Sequence, residues 1–423
     1  MMSALSEAGA APPVMGATDW RAWATLTLCF AAAMAEGFDI TSMGVAAPHL
    51  APVLRLSREQ LGPIFSASIL GLFIGAVVMG RLADRVGRKW TLIGSMAVFA
   101  VFSAATALTR GFDDLFAIRL AAGLGLGGAM PNMIAMAAEI SPERRRTLVT
   151  TIVAAGMPFG GALSSAVAAG AEWRWIFYFG GAAPLVLAIL MTLALAESPD
   201  FLHARRASGS RTRASFVWAL TGEGRSPATL FLWVSAFCAL MGLYVLLNWL
   251  PSLLGEKGLS KHDASLTTML FNTGGGLGVI ALALLMERAR RSLVVVAWYA
   301  SLVVSLTLLA LVGPDLAAAG FVAFFAGAFA SSVAIMLYGL APSYYPVTIR
   351  ATGVGATVAV GRLGAIAGPL FAAALLTSGV GATRVLLALA FPAILAGGAS
   401  IMLLRQPTAA ALRSDAAGRP RFG

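Results

Sequence analysis

Twelve stretches of this chain are each long and apolar enough to cross a hydrocarbon core, a distance that takes about 20 helical residues. They follow one another almost to the C-terminus, at roughly residues 22–46, 60–80, 91–109, 115–138, 148–170, 175–196, 229–253, 264–286, 293–312, 317–340, 351–378 and 383–404. Of the 423 residues 59% are hydrophobic and only 12% are charged, about half the charged share of a soluble domain. The bilayer is therefore the solvent, and the expected class is an all-α, multi-pass membrane protein. Residues 1–20 lack the basic start of a cleavable signal peptide, and the first span is too long for the apolar core of one, so it reads as a retained helix.

A net charge of +11 raises the question of nucleic acid, but the placement of the 30 Lys and Arg residues answers it. With the N-terminus inside, 21 fall in cytoplasmic segments, 7 in outward ones, and Arg119 and Arg362 fall inside spans. This is the positive-inside pattern. It places both termini in the cytoplasm and calls for no nucleic-acid partner. Cys29 and Cys238 both lie in spans, and His49, His203 and His262 are scattered, so neither a disulfide framework nor a metal-ligand spacing is present. No cofactor or metal is expected, and no catalytic constellation supports an enzyme.

The longest polar stretch divides the spans six and six. The expected organisation is a cytoplasmic tail (1–20), a six-helix bundle (21–196), a cytoplasmic linker (197–227), a second six-helix bundle (228–404) and a cytoplasmic tail (405–423). Asp84 and Arg88 after span 2 align with Glu287 and Arg291 after span 8, 203 positions on, and Pro142 and Arg146 before span 5 align with Pro346 and Arg350, 204 positions on. Offsets that agree to within one residue across independent pairs indicate a duplicated six-helix unit, as in parallel-repeat transporters.

The first span contains the costliest residues. An ionised acid at the centre of such a helix costs on the order of 2.5–3.5 kcal/mol, yet both Glu36 and Asp39 are there, three positions apart on one face with Gly37 between them. Counted from the span ends, Asp39 and Arg119 reach similar depths, and Arg362 lies near or above the midplane. Buried charges need partners, and the candidates to pair among themselves and with Arg362 are the acids Glu36 and Asp39, the cation Arg119 and an anionic substrate.

The loop Gly80-Arg81-Leu82-Ala83-Asp84-Arg85-Val86-Gly87-Arg88-Lys89 resembles the signature between helices 2 and 3 of the major facilitator superfamily. The resemblance implies the two-bundle fold of that superfamily, twelve helices in all. It also implies a conformational latch made by Gly80, Asp84, Arg85, Gly87 and Arg88 with Arg350, whose glycines permit a tight turn and whose charges hold the outward-facing state. Within the superfamily, Glu36-Gly37-Phe38-Asp39, Arg119 with the glycine run to Pro131, Asn248-Trp249-Leu250-Pro251, and Ile349-Arg350-Ala351-Thr352-Gly353 with Gly361-Arg362 resemble the aromatic acid:proton symporter family. The chain departs from that pattern at Glu36, where the family has Asp, and in the second-half loop Met286-Glu287-Arg288-Ala289-Arg290-Arg291, which lacks the glycine.

The expected function is proton-coupled import of a small aromatic carboxylate, hydroxybenzoate-like, across the cell inner membrane by alternating access. The expected protein is monomeric, with substrate, protons and lipid as its partners. Arg362 would attract the carboxylate, since its fork can grip one bidentately. Asp39 with Glu36, tuned by Arg119, would handle the proton; the plain alternative is a fixed Asp–Arg pair. Phe38, Asn248, Asn272 and Tyr338 are the further substrate-binding candidates, with Tyr244, Trp249, Phe271 and Phe329 as other sources of an aromatic wall. The competing functions are a major facilitator exporter or antiporter of another organic anion or drug, and a membrane sensor.

Overall fold

The structure is a computed structural model that describes residues 20–142, 145–195, 197, 216–346 and 349–409. Residues 1–19 of the N-terminal tail, 198–215 of the linker and 410–423 of the C-terminal tail lie outside these. The first half contains α1 (Trp20–Leu54), α2 (Arg58–Val86), α3 (Arg88–Thr106), α4 (Phe112–Leu126), α5 (Ala129–Ile140), α6 (Arg146–Gly170) and α7 (Trp173–Ala194). After the short α8 (Phe216–Thr221), which falls within the expected linker, come α9 (Ser226–Glu256), α10 (Lys261–Arg288), α11 (Arg291–Leu311), α12 (Leu316–Leu340), α13 (Arg350–Thr377), α14 (Ala382–Ala388) and α15 (Ala390–Leu404). Among the described residues these make twelve helical spans long and apolar enough to cross a membrane.

Sequence chemistry sets the helix ends. Ser57 and Gln60 form a reciprocal capping box at the start of α2, and Ser260 and Asp315 cap α10 and α12 by accepting from Asp263 N and Ala318 N. Two spans expected to be continuous are broken. The fourth is interrupted at Gly127–Gly128, where a Cβ on Gly127 would meet the backbone of α2 at Ala76 and Leu72, so the glycine pair allows the approach and ends the regular turn. The twelfth breaks at Leu389 because Pro392 cannot donate to the carbonyl four residues back.

Packing follows the duplication. In the first half α1 packs on α6, α2 on α4 and α3 on α7; the equivalent partners in the second half are α9 with α13, α10 with α12 and α11 with α15. The contacts correspond residue by residue. Gly71 approaches the carbonyl of Leu120, and Gly274, 203 positions on, approaches that of Phe324. Gly123 against Ser68 and Gly160 against Met34 recur as Gly327 against Phe271 and Gly364 against Phe237. Small residues bring backbones together where lipid supplies no hydrophobic drive between helices. The halves meet along two seams, α6 with α10 and α2 with α13, and through α1 with α9.

Candidate functional site

Helix α1 presents its two acids to different partners. Asp39 is fully buried and accepts from both arms of Arg119 on α4, at 2.6 Å from Nη1 to Oδ1 and 2.8 Å from Nη2 to Oδ2. Nη2 also lies 3.4 Å from the Asp39 carbonyl, and the Phe177 ring of α7 lies 5.9 Å from the guanidinium carbon. This bidentate geometry is the strong form of an ion pair. Glu36 is also fully buried, but neither of its carboxylate oxygens has a hydrogen bond among the described residues. Its nearest cation is Arg362 of α13, with Nη2 at 3.8 Å, so this ion pair crosses from one half to the other. Arg362 donates through Nη1 to the Tyr244 hydroxyl at 2.9 Å. The hydroxyl of Tyr338, which shares a cavity with Arg362, makes no hydrogen bond among the described residues.

That cavity, of about 270 Å³, lies between the halves. Gly37, Ile40 and Thr41 of α1, Met157 and Pro158 of α6, Leu240, Leu243, Tyr244 and Leu247 of α9, Asn272 of α10, Ser331, Ala334 and Tyr338 of α12 and Arg362 of α13 are among its lining. Of the expected substrate residues, Arg362, Asn272 and Tyr338 are on its wall. Phe38 is not: it sits in the core against Gly180 of α7. Asn248 lies off the cavity too, beside Asp39 and Arg119 at a void of about 10 Å³, with its amide donating to the Tyr244 carbonyl. Trp249 and Phe271 are buried in the core, with Trp249 edge-on to Phe65, and Phe329 packs on Trp298. Thr41, Thr150, Thr151 and Ser331 line the cavity without having been picked out in the sequence. Hydroxyls of this size are frequent in apolar helices, and of the four only Ser331, two turns before Tyr338 on α12, shares a helix face with either Glu36 or Tyr338.

The two ends of the molecule differ. At the end holding the α1–α2 and α9–α10 turns, the halves touch: Ser66 donates to the Ile366 carbonyl at 2.9 Å, Arg58 pairs with Glu256 at 3.3 Å, and His262 Nδ1 lies 2.9 Å from the Ala169 carbonyl. At the opposite end, where the arginine-rich turns are, a second cavity of about 320 Å³ shares Thr151, Ile335 and Gly339 with the first and reaches Glu287, Arg291 and Ser343. The central cavity therefore opens toward the basic end. The expected latch residues are also at this end. Arg88 pairs with Glu139 of its own half, and the backbone amides of Arg88 and Lys89 donate to Glu197 at 2.9 and 3.0 Å. Arg85 is exposed, Gly80 has open space around it and Gly87 adopts φ of 107°. Arg350 reaches the Tyr345 carbonyl at 3.5 Å. The side chain of Asp84 lies outside the described residues.

A family model described as Major Facilitator Superfamily matches residues 29–260 and 232–422. The chain belongs to this superfamily. Among curated relatives, it is 41% identical over 385 residues to the 3-(3-hydroxy-phenyl)propionate transporter of Escherichia coli K12, covering 90% of this chain and 93% of that one. It is 36% identical to the gallate transporter of Pseudomonas putida (88% and 90% covered) and 33% identical to a 4-hydroxybenzoate transporter of Pseudomonas aeruginosa (90% and 92% covered). The fold is similar to a partially occluded inward open conformation of the E. coli xylose transporter, with a TM-score of 0.74 at 17% identity over 93% of this chain and 99% of that one. As a member of the major facilitator superfamily, the chain is a multi-pass inner-membrane transporter and not an enzyme.

Proposed function

We propose that the chain imports a small aromatic carboxylate together with protons, and that the exchange of partners at Arg362 couples the two. The observation that supports this most is the Glu36–Arg362 contact at 3.8 Å, which places the protein's own carboxylate beside the cation that an anionic substrate would seek, on a cavity wall bearing Tyr244 and Tyr338. A substrate carboxylate that takes Arg362 withdraws the counter-ion from Glu36. In a buried, poorly solvated position an acid without its cation is stable only when protonated. Substrate and proton then share the cavity, and loss of both restores the Glu36–Arg362 pair. The bidentate Asp39–Arg119 pair acts as the fixed member: it ties α1 to α4 and so holds the helix from which Glu36 projects. Three relatives whose names specify hydroxylated aromatic acids support the substrate class. The charge bias supports a cytoplasmic location for the basic end and both chain termini, which makes the open end the inward one.

Uptake of radiolabelled aromatic acids into proteoliposomes, with and without an inward proton gradient, tests this reading. Gradient-driven accumulation is expected in the wild type. Glu36→Gln is expected to keep equilibrative exchange of the same acid while losing accumulation. If the wild type accumulates no aromatic acid, or Glu36→Gln still concentrates it against a gradient, the proposal is wrong.

A further inference from the structure

Asn272 is buried, and its Nδ2 donates to the Thr268 carbonyl one turn back at 3.0 Å, while Oδ1 accepts no hydrogen bond among the described residues. Across from it, on α6, a Cβ built on Gly161 would lie 2.5 Å from Asn272 Oδ1 and 2.6 Å from Thr41 Oγ1. Two oxygens from α10 and α1 thus converge over a residue with no side chain, and both residues line the central cavity. They sit at the α6–α10 seam, whereas Arg362 projects from α13, which forms the other seam with α2. Most of the remaining lining is apolar, with Ile40, Met157, Leu243 and Leu247 among it.

We infer that the cavity reads its substrate at two ends: Arg362 with Tyr338 takes the carboxylate, and Asn272 with Thr41 takes a hydroxyl on the aromatic ring. Hydroxylated aromatic acids are then the substrates, and the same acids without the hydroxyl are handled poorly. The inference rests on the reading of the site as one for aromatic carboxylates. Its physical basis is asymmetric. A ring hydroxyl donates to Asn272 Oδ1 and accepts from Thr41. A bare ring displaces water from both groups and gives nothing back, and a polar site left unpaired discriminates far more strongly than a missing methylene does.

The test compares KM for benzoate with 4-hydroxybenzoate, and for 3-phenylpropionate with 3-(3-hydroxyphenyl)propionate, in proteoliposome uptake. In the wild type the hydroxylated member of one pair is expected to have a KM lower by roughly ten- to a hundred-fold. Asn272→Leu and Thr41→Val are expected to bring that ratio toward one by weakening only the hydroxylated acid, while Thr41→Ser keeps it. Gly161→Ala, which pushes the two oxygens apart, should lower the ratio without altering either polar residue. A wild-type ratio of one alongside robust uptake overturns this inference and leaves the transport reading standing, as do variants that raise KM equally for both members of a pair. Absence of uptake of every acid overturns both.

Discussion

Replacing Asp39 by Asn is expected to destabilise this protein far more than replacing Glu36 by Gln, although the two acids are three residues apart on one helix. Asp39 is held by two short charge-assisted hydrogen bonds to a guanidinium that is itself 1% exposed, each of a kind worth about 1.5–3 kcal/mol. Asparagine keeps the shape but leaves Arg119 charged, desolvated and without a counter-ion, a situation that costs about 3–5 kcal/mol. At about 1.4 kcal/mol per tenfold, this is a change of roughly a hundred-fold to several-thousand-fold in the folded-to-unfolded ratio. The Glu36 carboxylate forms no hydrogen bond among the described residues, and its cation stands 3.8 Å away, already bonded to Tyr244 and facing the cavity. Removing its charge also removes the cost of burying it, so Glu36→Gln should change stability by about 1 kcal/mol or less. Thermal unfolding of the purified protein in detergent is the assay, run on both single variants, on Arg119→Met and on the double variant Asp39→Leu/Arg119→Met. The double variant should recover most of the loss, because an apolar pair of similar volume leaves no stranded charge. If Asp39→Asn melts with the wild type, or the double variant melts as low as the singles, the pair is not the fixed strut described above.

Arg362→Lys keeps the charge but loses the planar fork and the bond to Tyr244, so KM for an aromatic acid is expected to rise roughly ten-fold or more while the protein still folds; uptake kinetics beside a melting curve will check it. In a background without Cys29 and Cys238, Thr151→Cys is expected to react with a membrane-impermeant thiol reagent from the basic end, and Ser66→Cys, buried where the halves touch, is expected to react from neither; equal labelling of both would contradict the one-sided opening. Gly160→Val and Gly364→Val each force a side chain into a facing carbonyl at equivalent places in the two halves, so both are expected to lower the melting temperature to a similar degree; a large loss for one and none for the other would break the packing equivalence.

The spans, the two-fold repeat and the depths of the charges were legible in the sequence because each depends on chain length alone: hydrophobic run length, residue offset and helical rise. Those quantities placed Asp39 level with Arg119, and the two do meet. What they could not supply was direction around the helix axis. Glu36 and Asp39 read as one site because three residues separate them, yet the 60° between them is enough to send one to α4 and the other across the seam to α13. The same lack misjudged Phe38, which faces α7, and Asn248, which faces the Asp39–Arg119 pair. Tertiary packing decides which face of a uniformly apolar helix meets water, and an amphipathic pattern is too weak to announce it when both faces are buried or in lipid.

The repeat explains why the cavity is where it is and also why its chemistry could not be copied from one half to the other. Thr41 and Tyr244, 203 positions apart, both line it, as do Ile134 and Tyr338 and Pro158 and Arg362, each 204 apart. Duplicated helices bring equivalent positions to the shared axis, so the wall is symmetric in backbone and unlike in side chain. The glycines at the helix contacts recur in kind because no Cβ fits there. The cavity positions are under no such constraint, and an ion pair has need of the difference. With the acid on the first half and the cation on the second, the Glu36–Arg362 contact spans the two halves, so their movement and a competing anion both act on it. An acid and a cation on the same half would titrate without reporting on the conformation. On the proposed reading, placing them on opposite halves links protonation, anion binding and the rocking of the bundles in one equilibrium.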